Sequence, residues 1–130
     1  MSDPIKILGV DDEPDFELLI TQRFRRQIRD REFAFLFAHH GEEALALLDA
    51  DPAIELMLLD INMPVMDGLQ FLETRRQENL AQGVPVVMIT TEGNETFVLR
   101  AIAAGAQGYI CKPFTAEQVK VRVLPLLRAA

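Results

Sequence analysis

The sequence predicts an α/β fold, a three-layer (βα)5 unit built on one five-stranded parallel sheet. Two observations predict it. Five short apolar runs alternate with five segments of helical period along the 130 residues. Several of those runs are apolar at successive positions rather than alternate ones, the pattern of strands covered on both faces. A chain of 130 residues can bury one sizeable core and is short for two, so residues 1–130 are expected to form a single domain.

The elements follow in order. IKILGV (Ile5 to Val10) reads as the first strand, and Pro14 suits the first turn of a helix running to Arg29. EFAFLFA (Glu32 to Ala38) reads as the second. Its Phe33, Phe35 and Phe37 alternate with Ala34, Leu36 and Ala38, so the rings are expected as core on one face of the sheet. Gly41 turns the chain into a helix from Glu42 to Ala50. IELMLL (Ile54 to Leu59) is the third strand, and Met63-Pro64 cannot continue it as a central strand. Met63, Pro64 and Met66 are expected to shape and cover the loop after Asp60. Gly68 lets the backbone turn into a helix from Asp67 to Asn79, with Asp67 able to cap it and Gly83 beyond its end. VPVVMI (Val84 to Ile89) is the fourth strand, followed by a helix from Glu95 to Ala104 that stops at Gly105. GYIC (Gly108 to Cys111) is the fifth, where Cys111 is expected to pack as a small apolar residue. Thr115-Ala116-Glu117-Gln118 matches a capping box at the start of the last helix, Ala116 to Arg128. Pro125 is expected to end or kink that helix.

Composition removes several classes of function. A net charge of −7, from 13 basic and 20 acidic residues, argues against direct nucleic-acid binding, which depends on neutralising phosphates. No apolar run is long enough to cross a bilayer, and MSDPIKILGVDD lacks the basic start and cleavage site of a secretory signal. One cysteine builds neither a disulfide framework nor a thiolate zinc site. A cytoplasmic location without a membrane partner is the default. Arg23, Arg25, Arg26, Arg29 and Arg31 read as a solvated helix face. His39-His40, with no other ligands around it, reads as a loop pair.

The chemistry lies in where the polar residues interrupt the apolar runs. In open parallel sheets, sites form beyond the carboxyl ends of strands, above all where the strand order reverses. Asp11, Asp12 and Glu13 follow the first strand and Asp60 follows the third. Thr90 and Thr91 follow the fourth, and Lys112-Pro113 the fifth. If the strand order is 2-1-3-4-5, Asp11, Asp12 and Asp60 converge, and Thr90 and Lys112 approach from the next two strands. Three carboxylates that close repel one another unless a cation joins them. A hard divalent ion such as Mg²⁺ suits an all-oxygen site, with the Asn62 backbone carbonyl as a further ligand. A cation, a lysine and a hydroxyl around Asp60 could hold a phosphoryl group on that carboxylate, which points to nucleophilic attack on phosphorus and an aspartyl phosphate.

Four motifs in order, DD, LLDINMPVMDG, IT and GYICKPF, each at a strand end, resemble the receiver domain of two-component response regulators along the full chain. The resemblance implies a flavodoxin-like sheet in the order 2-1-3-4-5. It implies that Asp60 is the phosphoacceptor, and that Asp11 and Asp12 hold Mg²⁺ (or Mn²⁺), Asp12 directly and Asp11 more through water. It further implies that Thr90 turns toward the phosphoryl group on activation, that Tyr109 changes rotamer with it, and that Lys112 pairs with the phosphoryl oxygens. Lys112-Pro113 is then a cis peptide. The implied donor is a histidine kinase or a histidine phosphotransfer protein. The face made by the helix after the fourth strand, the fifth strand and the last helix would alter the binding of a downstream protein target, and could form a weak homodimer. Catalysis would be limited to Mg-dependent self-phosphotransfer and autodephosphorylation.

One residue departs from the family pattern. Thr91 stands where Ala or Gly is usual, and a branched side chain there predicts phosphorylation and hydrolysis rates different from those of a Thr91→Ala variant. Asn62 and Glu92 flank the site as in chemotaxis regulators, which implies a short-lived phosphate. Two readings from other classes fit less well, and one from the same family stays open. A haloacid-dehalogenase phosphatase needs an acid two residues after the nucleophile, where Asn62 stands. An FMN-binding flavodoxin needs a Ser/Thr/Gly-rich loop where this chain has DDEPD. A receiver fragment of a longer regulator would carry the same motifs.

Overall fold

The structure is a computed structural model that describes residues 3–60, 68–77, 84–90, 95–112 and 114–127. The element order is β1 (Ile5–Val10), α1 (Asp15–Arg23), α2 (Arg25–Arg29), β2 (Phe33–Ala38), α3 (Gly41–Ala50), β3 (Leu56–Asp60), α4 (Gly68–Gln77), β4 (Val86–Thr90), α5 (Glu95–Ala103), β5 (Gly108–Cys111) and α6 (Ala116–Leu127). The five strands form one sheet in the order β2-β1-β3-β4-β5, every neighbouring pair parallel. That is the doubly wound order expected from the strand-end motifs.

Helices cover both faces because the strands leave no polar face. β3 and β4 are buried at every position. On one face Leu8, Val10, Met57, Leu59 and Met88 pack with Ala44 and Leu48 of α3, Phe71 and Leu72 of α4, and Ala101 of α5. On the other, Ile7, Leu56, Leu58 and Ile89 pack with Phe16 and Ile20 of α1 and Val119 and Val123 of α6. At Gly9 the Phe16 side chain of α1 lies against β1. A Cβ there would lie 2.8 Å from the Phe16 ring, so β1 needs a residue without one at that position.

Four expectations change. The first helix is not continuous to Arg29. The backbone leaves helical geometry at Phe24 (φ −106°, ψ 19°), splitting the segment into α1 and α2. Phe24 is fully buried, its ring 5.7 Å from Phe33 and 5.1 Å from Phe35, so packing against β2 outweighs unbroken helical period. The phenylalanines of β2 are not equally core: Phe33 is buried, whereas Phe35 and Phe37 are half-buried because β2 is an edge strand. Cys111 is exposed, because β5 is the other edge. Pro125 does not end the last helix, which runs through it to Leu127. A proline so near the carboxyl end removes one hydrogen bond from the final turn only. Gly105 does close α5, at φ 118°. Met63, Pro64, Met66, Asp67 and Gly83 lie outside the described residues.

Candidate functional site

Strand register brings the acids together. Val10 pairs with Leu59 across β1 and β3, so Asp11, one residue on, emerges beside Asp60, the last residue of β3. Carboxylate oxygens of Asp11, Asp12 and Asp60 lie within 4.8 Å of one another. Asp11 and Asp60 are buried, and Asp12 is exposed at the mouth. Thr90 closes β4 and is buried. It pairs in register with Cys111, while Asp60 pairs with Ile89. The structure brings residues 11, 12, 60, 90 and 112 to the carboxyl ends of neighbouring strands, as expected.

Lys112 carries the positive charge into this cluster, and it reaches Asp11. Its Nζ lies 3.1 Å from Asp11 Oδ2, a carboxylate whose side chain is fully buried. The other oxygen, Asp11 Oδ1, accepts from the Glu13 backbone N–H at 2.9 Å. Both oxygens of Asp11 are thus engaged by the protein. The Lys112 backbone N–H donates to the Thr90 carbonyl at 2.7 Å, tying the ends of β4 and β5 together. Burial alone would lower the Lys112 pKa. The Asp11 carboxylate, by its charge and its hydrogen bond, and the charges of Asp60 and Glu13 outweigh it, and the net shift is upward. Lys112 is a permanent cation at neutral pH.

The donor set consists of carboxylate oxygens without a thiol or imidazole, and that chemistry fits a hard divalent ion better than zinc or copper. Asn62, Thr91 and Glu92, expected as a backbone ligand and two modulating residues, lie outside the described residues, as does Pro113 of the expected cis peptide. Tyr109 lies on β5, paired with Met88, and is 37% exposed. Its ring lies under the Arg122 guanidinium of α6, with Cζ 5.7 Å from the ring centroid.

Two features beside the site were not foreseen. His40 caps α3, its Nδ1 accepting from the Glu43 backbone N–H at 3.2 Å. His39 bridges two helices, with Nε2 3.1 Å from Glu17 Oε1 and Nδ1 3.5 Å from Glu43 Oε2. The acid three residues after His40 was the available signal for the cap. Arg23, Arg25, Arg26, Arg29 and Arg31 are all exposed, as a solvated face requires.

A family model described as the response regulator receiver domain matches residues 7–124. Among curated relatives, a chemotaxis protein CheY homolog from Campylobacter jejuni is 35% identical over 123 residues, 95% of this chain and 92% of that one. The transcriptional regulatory protein CpxR of Klebsiella pneumoniae is 37% identical over 124 residues, 95% of this chain but 49% of its own. Among solved structures, the receiver domain of NtrX from Brucella abortus superposes with a TM-score of 0.80 at 31% identity, over 95% of this chain and 99% of that one. No helix among the described residues is long and apolar enough to cross a membrane.

Proposed function

The chain belongs to the response regulator receiver domain family of two-component signalling. From that premise we propose that it is a phosphoacceptor switch in which Asp60 takes a phosphoryl group from a histidine of a partner kinase or phosphotransfer protein. The observation that carries this reading is the meeting of three carboxylates from two adjacent strand ends, with one lysine held on the innermost of them. A merely structural acid at a strand end has no need of two acidic neighbours and a half-buried ammonium.

Asp60 is the nucleophile. An oxygen of its carboxylate bonds to phosphorus as the P–N bond of phosphohistidine breaks, and that electron pair returns to the imidazole nitrogen, which takes up a proton. Asp12 and Asp60 would hold Mg²⁺ (or Mn²⁺), with Asp11 acting through water because its own oxygens are occupied. Bound there, the ion neutralises phosphoryl oxygens and relieves the repulsion among the three acids. Lys112 leaves Asp11 to pair with a phosphoryl oxygen, and Thr90 turns its hydroxyl toward the same group. Hydrolysis reverses the modification: water attacks phosphorus, the P–O bond breaks, and Asp60 recovers its carboxylate. Turnover of a separate substrate forms no part of the role.

We read residues 1–130 as one cytoplasmic receiver domain that acts through contact with a downstream protein, without direct binding to nucleic acid or membrane. A second reading is favoured by one observation: in CpxR of Klebsiella pneumoniae the matching region is half of a longer chain, so this sequence fits a receiver piece of a larger regulator as well. Incubation with Mg²⁺ and a small phosphodonor, followed by intact mass, tests the site. A gain of one phosphoryl group in the wild type and none in Asp60→Asn is expected. A gain that survives Asp60→Asn defeats the assignment.

A further inference from the structure

We infer that Arg122 is a positioning residue that latches Tyr109 in its outward state and thereby restrains phosphorylation of Asp60. This inference rests on the switch reading of Asp60, Thr90 and Tyr109 given above.

Three observations carry it. Tyr109 lies on the edge strand β5 with its ring partly in solvent, 37% exposed, although its register partner Met88 is fully buried. The Arg122 guanidinium lies over that ring, Cζ 5.7 Å from the centroid, within the range of a cation–π contact. Among the described residues no carboxylate comes within ion-pairing distance of Arg122, so the ring is the contact the structure gives its charge. The two residues line one wall of an open groove of about 580 Å³ running along β5 and α6, with Glu117 and Val121 on the α6 side. The guanidinium supplies an attraction that holds the ring there.

The coupling to the site follows from the sheet. Thr90 pairs with Cys111, two residues beyond Tyr109, and the Lys112 N–H is bonded to the Thr90 carbonyl. A movement of Thr90 toward Asp60 vacates volume at the β4–β5 seam. The ring of Tyr109 is the large side chain next along that face, and filling the vacated volume takes it away from Arg122. Each inward turn therefore breaks the cation–π contact, and Arg122 biases the pair toward the unphosphorylated state. A cation–π contact at a partly exposed site corresponds to about a two- to fivefold bias in population.

The chain has one tyrosine and no tryptophan, so its tyrosine emission, excited beyond the phenylalanine band, reports Tyr109 alone. Arg122→Ala is expected to lower acrylamide quenching of that emission, because the released ring turns inward. It is also expected to raise the rate of phosphorylation from a small phosphodonor by about two- to fivefold. Arg122→Lys should fall between wild type and Arg122→Ala. In a Tyr109→Ala background, Arg122→Ala should leave the phosphorylation rate unchanged, which a purely structural role for Arg122 would not produce. Unchanged or increased quenching in Arg122→Ala overturns the latch, and so does an equal acceleration with and without Tyr109. Lowered quenching together with a wild type that takes up no phosphoryl group overturns the switch reading and leaves the latch standing.

Discussion

At the residue scale, the unexpected arrangement is that Lys112 sits on Asp11 rather than on Asp60. Its Nζ is 3.1 Å from Asp11 Oδ2, and the second Asp11 oxygen is taken by the Glu13 N–H. The ammonium therefore neutralises the carboxylate that water solvates least, and a metal ion entering the cluster competes with it for the same negative charge. Lys112→Met should bind Mg²⁺ more tightly, by roughly three- to tenfold for one charge removed from a partly exposed site. The same variant should lose most of its phosphorylation, because the pairing for the phosphoryl oxygens has gone. A Mg²⁺ titration read by calorimetry checks the first half, and equal affinities would show that lysine and metal do not compete. The lysine itself was legible in the sequence as a strand-end cation. Its choice of Asp11 was not, since that depends on side-chain torsions and on which carboxylate is more deeply buried. Cys111 failed for a related reason: an apolar run of four residues does not say whether its strand is central or at the edge.

At the element scale, what the sequence made legible follows from how uniform each signal is. β1 and β5 begin and end where their apolar runs do, and β3 and β4 shift by only a residue or two because both faces of those strands are covered. The break at Phe24 was hidden because Ile20 and Phe24 keep a spacing of four, which continues a helix. The ring of Phe24 instead follows β2 into the aromatic cluster with Phe33 and Phe35, and the backbone yields there. The capping box at α6 was legible because it needs only local geometry: the Gln118 N–H donates to Thr115 Oγ1 at 3.2 Å and the Thr115 N–H donates to Gln118 Oε1 at 2.9 Å. Thr115→Ala should cost about 1 kcal/mol, a fall in Tm of roughly 3–5 °C, with Thr115→Ser close to wild type. Thermal unfolding of the two variants checks it, and equal losses in both would assign the effect to something other than the hydroxyl. Because α6 also carries Arg122, fraying at its start should loosen Tyr109 as well.

At the scale of the whole molecule, the site stores repulsion that the fold must hold in check. Asp11, Asp12 and Asp60 are held within 4.8 Å at one end of the sheet in a chain that already carries −7. Without a metal ion, Lys112 is the cation that the described residues bring to this cluster. Its pKa is raised in the folded state from 10.5, so it binds its proton more tightly folded than unfolded. The stability it contributes is therefore fully present below about pH 10.5 and disappears as the pH rises through the higher folded value. Metal-free wild type should thus be more stable than Lys112→Met by a margin that holds between pH 7 and 10 and closes above it. Mg²⁺ should narrow the same gap at pH 7, because at one saturating concentration the variant, binding the ion three- to tenfold more tightly, gains about 0.6–1.4 kcal/mol more than the wild type. Denaturant unfolding of both proteins at pH 7, 9 and 11, each with and without Mg²⁺, separates the two effects. A gap that persists at pH 11, or that Mg²⁺ at pH 7 leaves untouched, would mean that packing of the lysine stem and not its charge supports this end of the sheet. The predicted pattern would make lysine and metal interchangeable counter-charges for one acidic cluster, which leaves Lys112 free to move once the metal is in place.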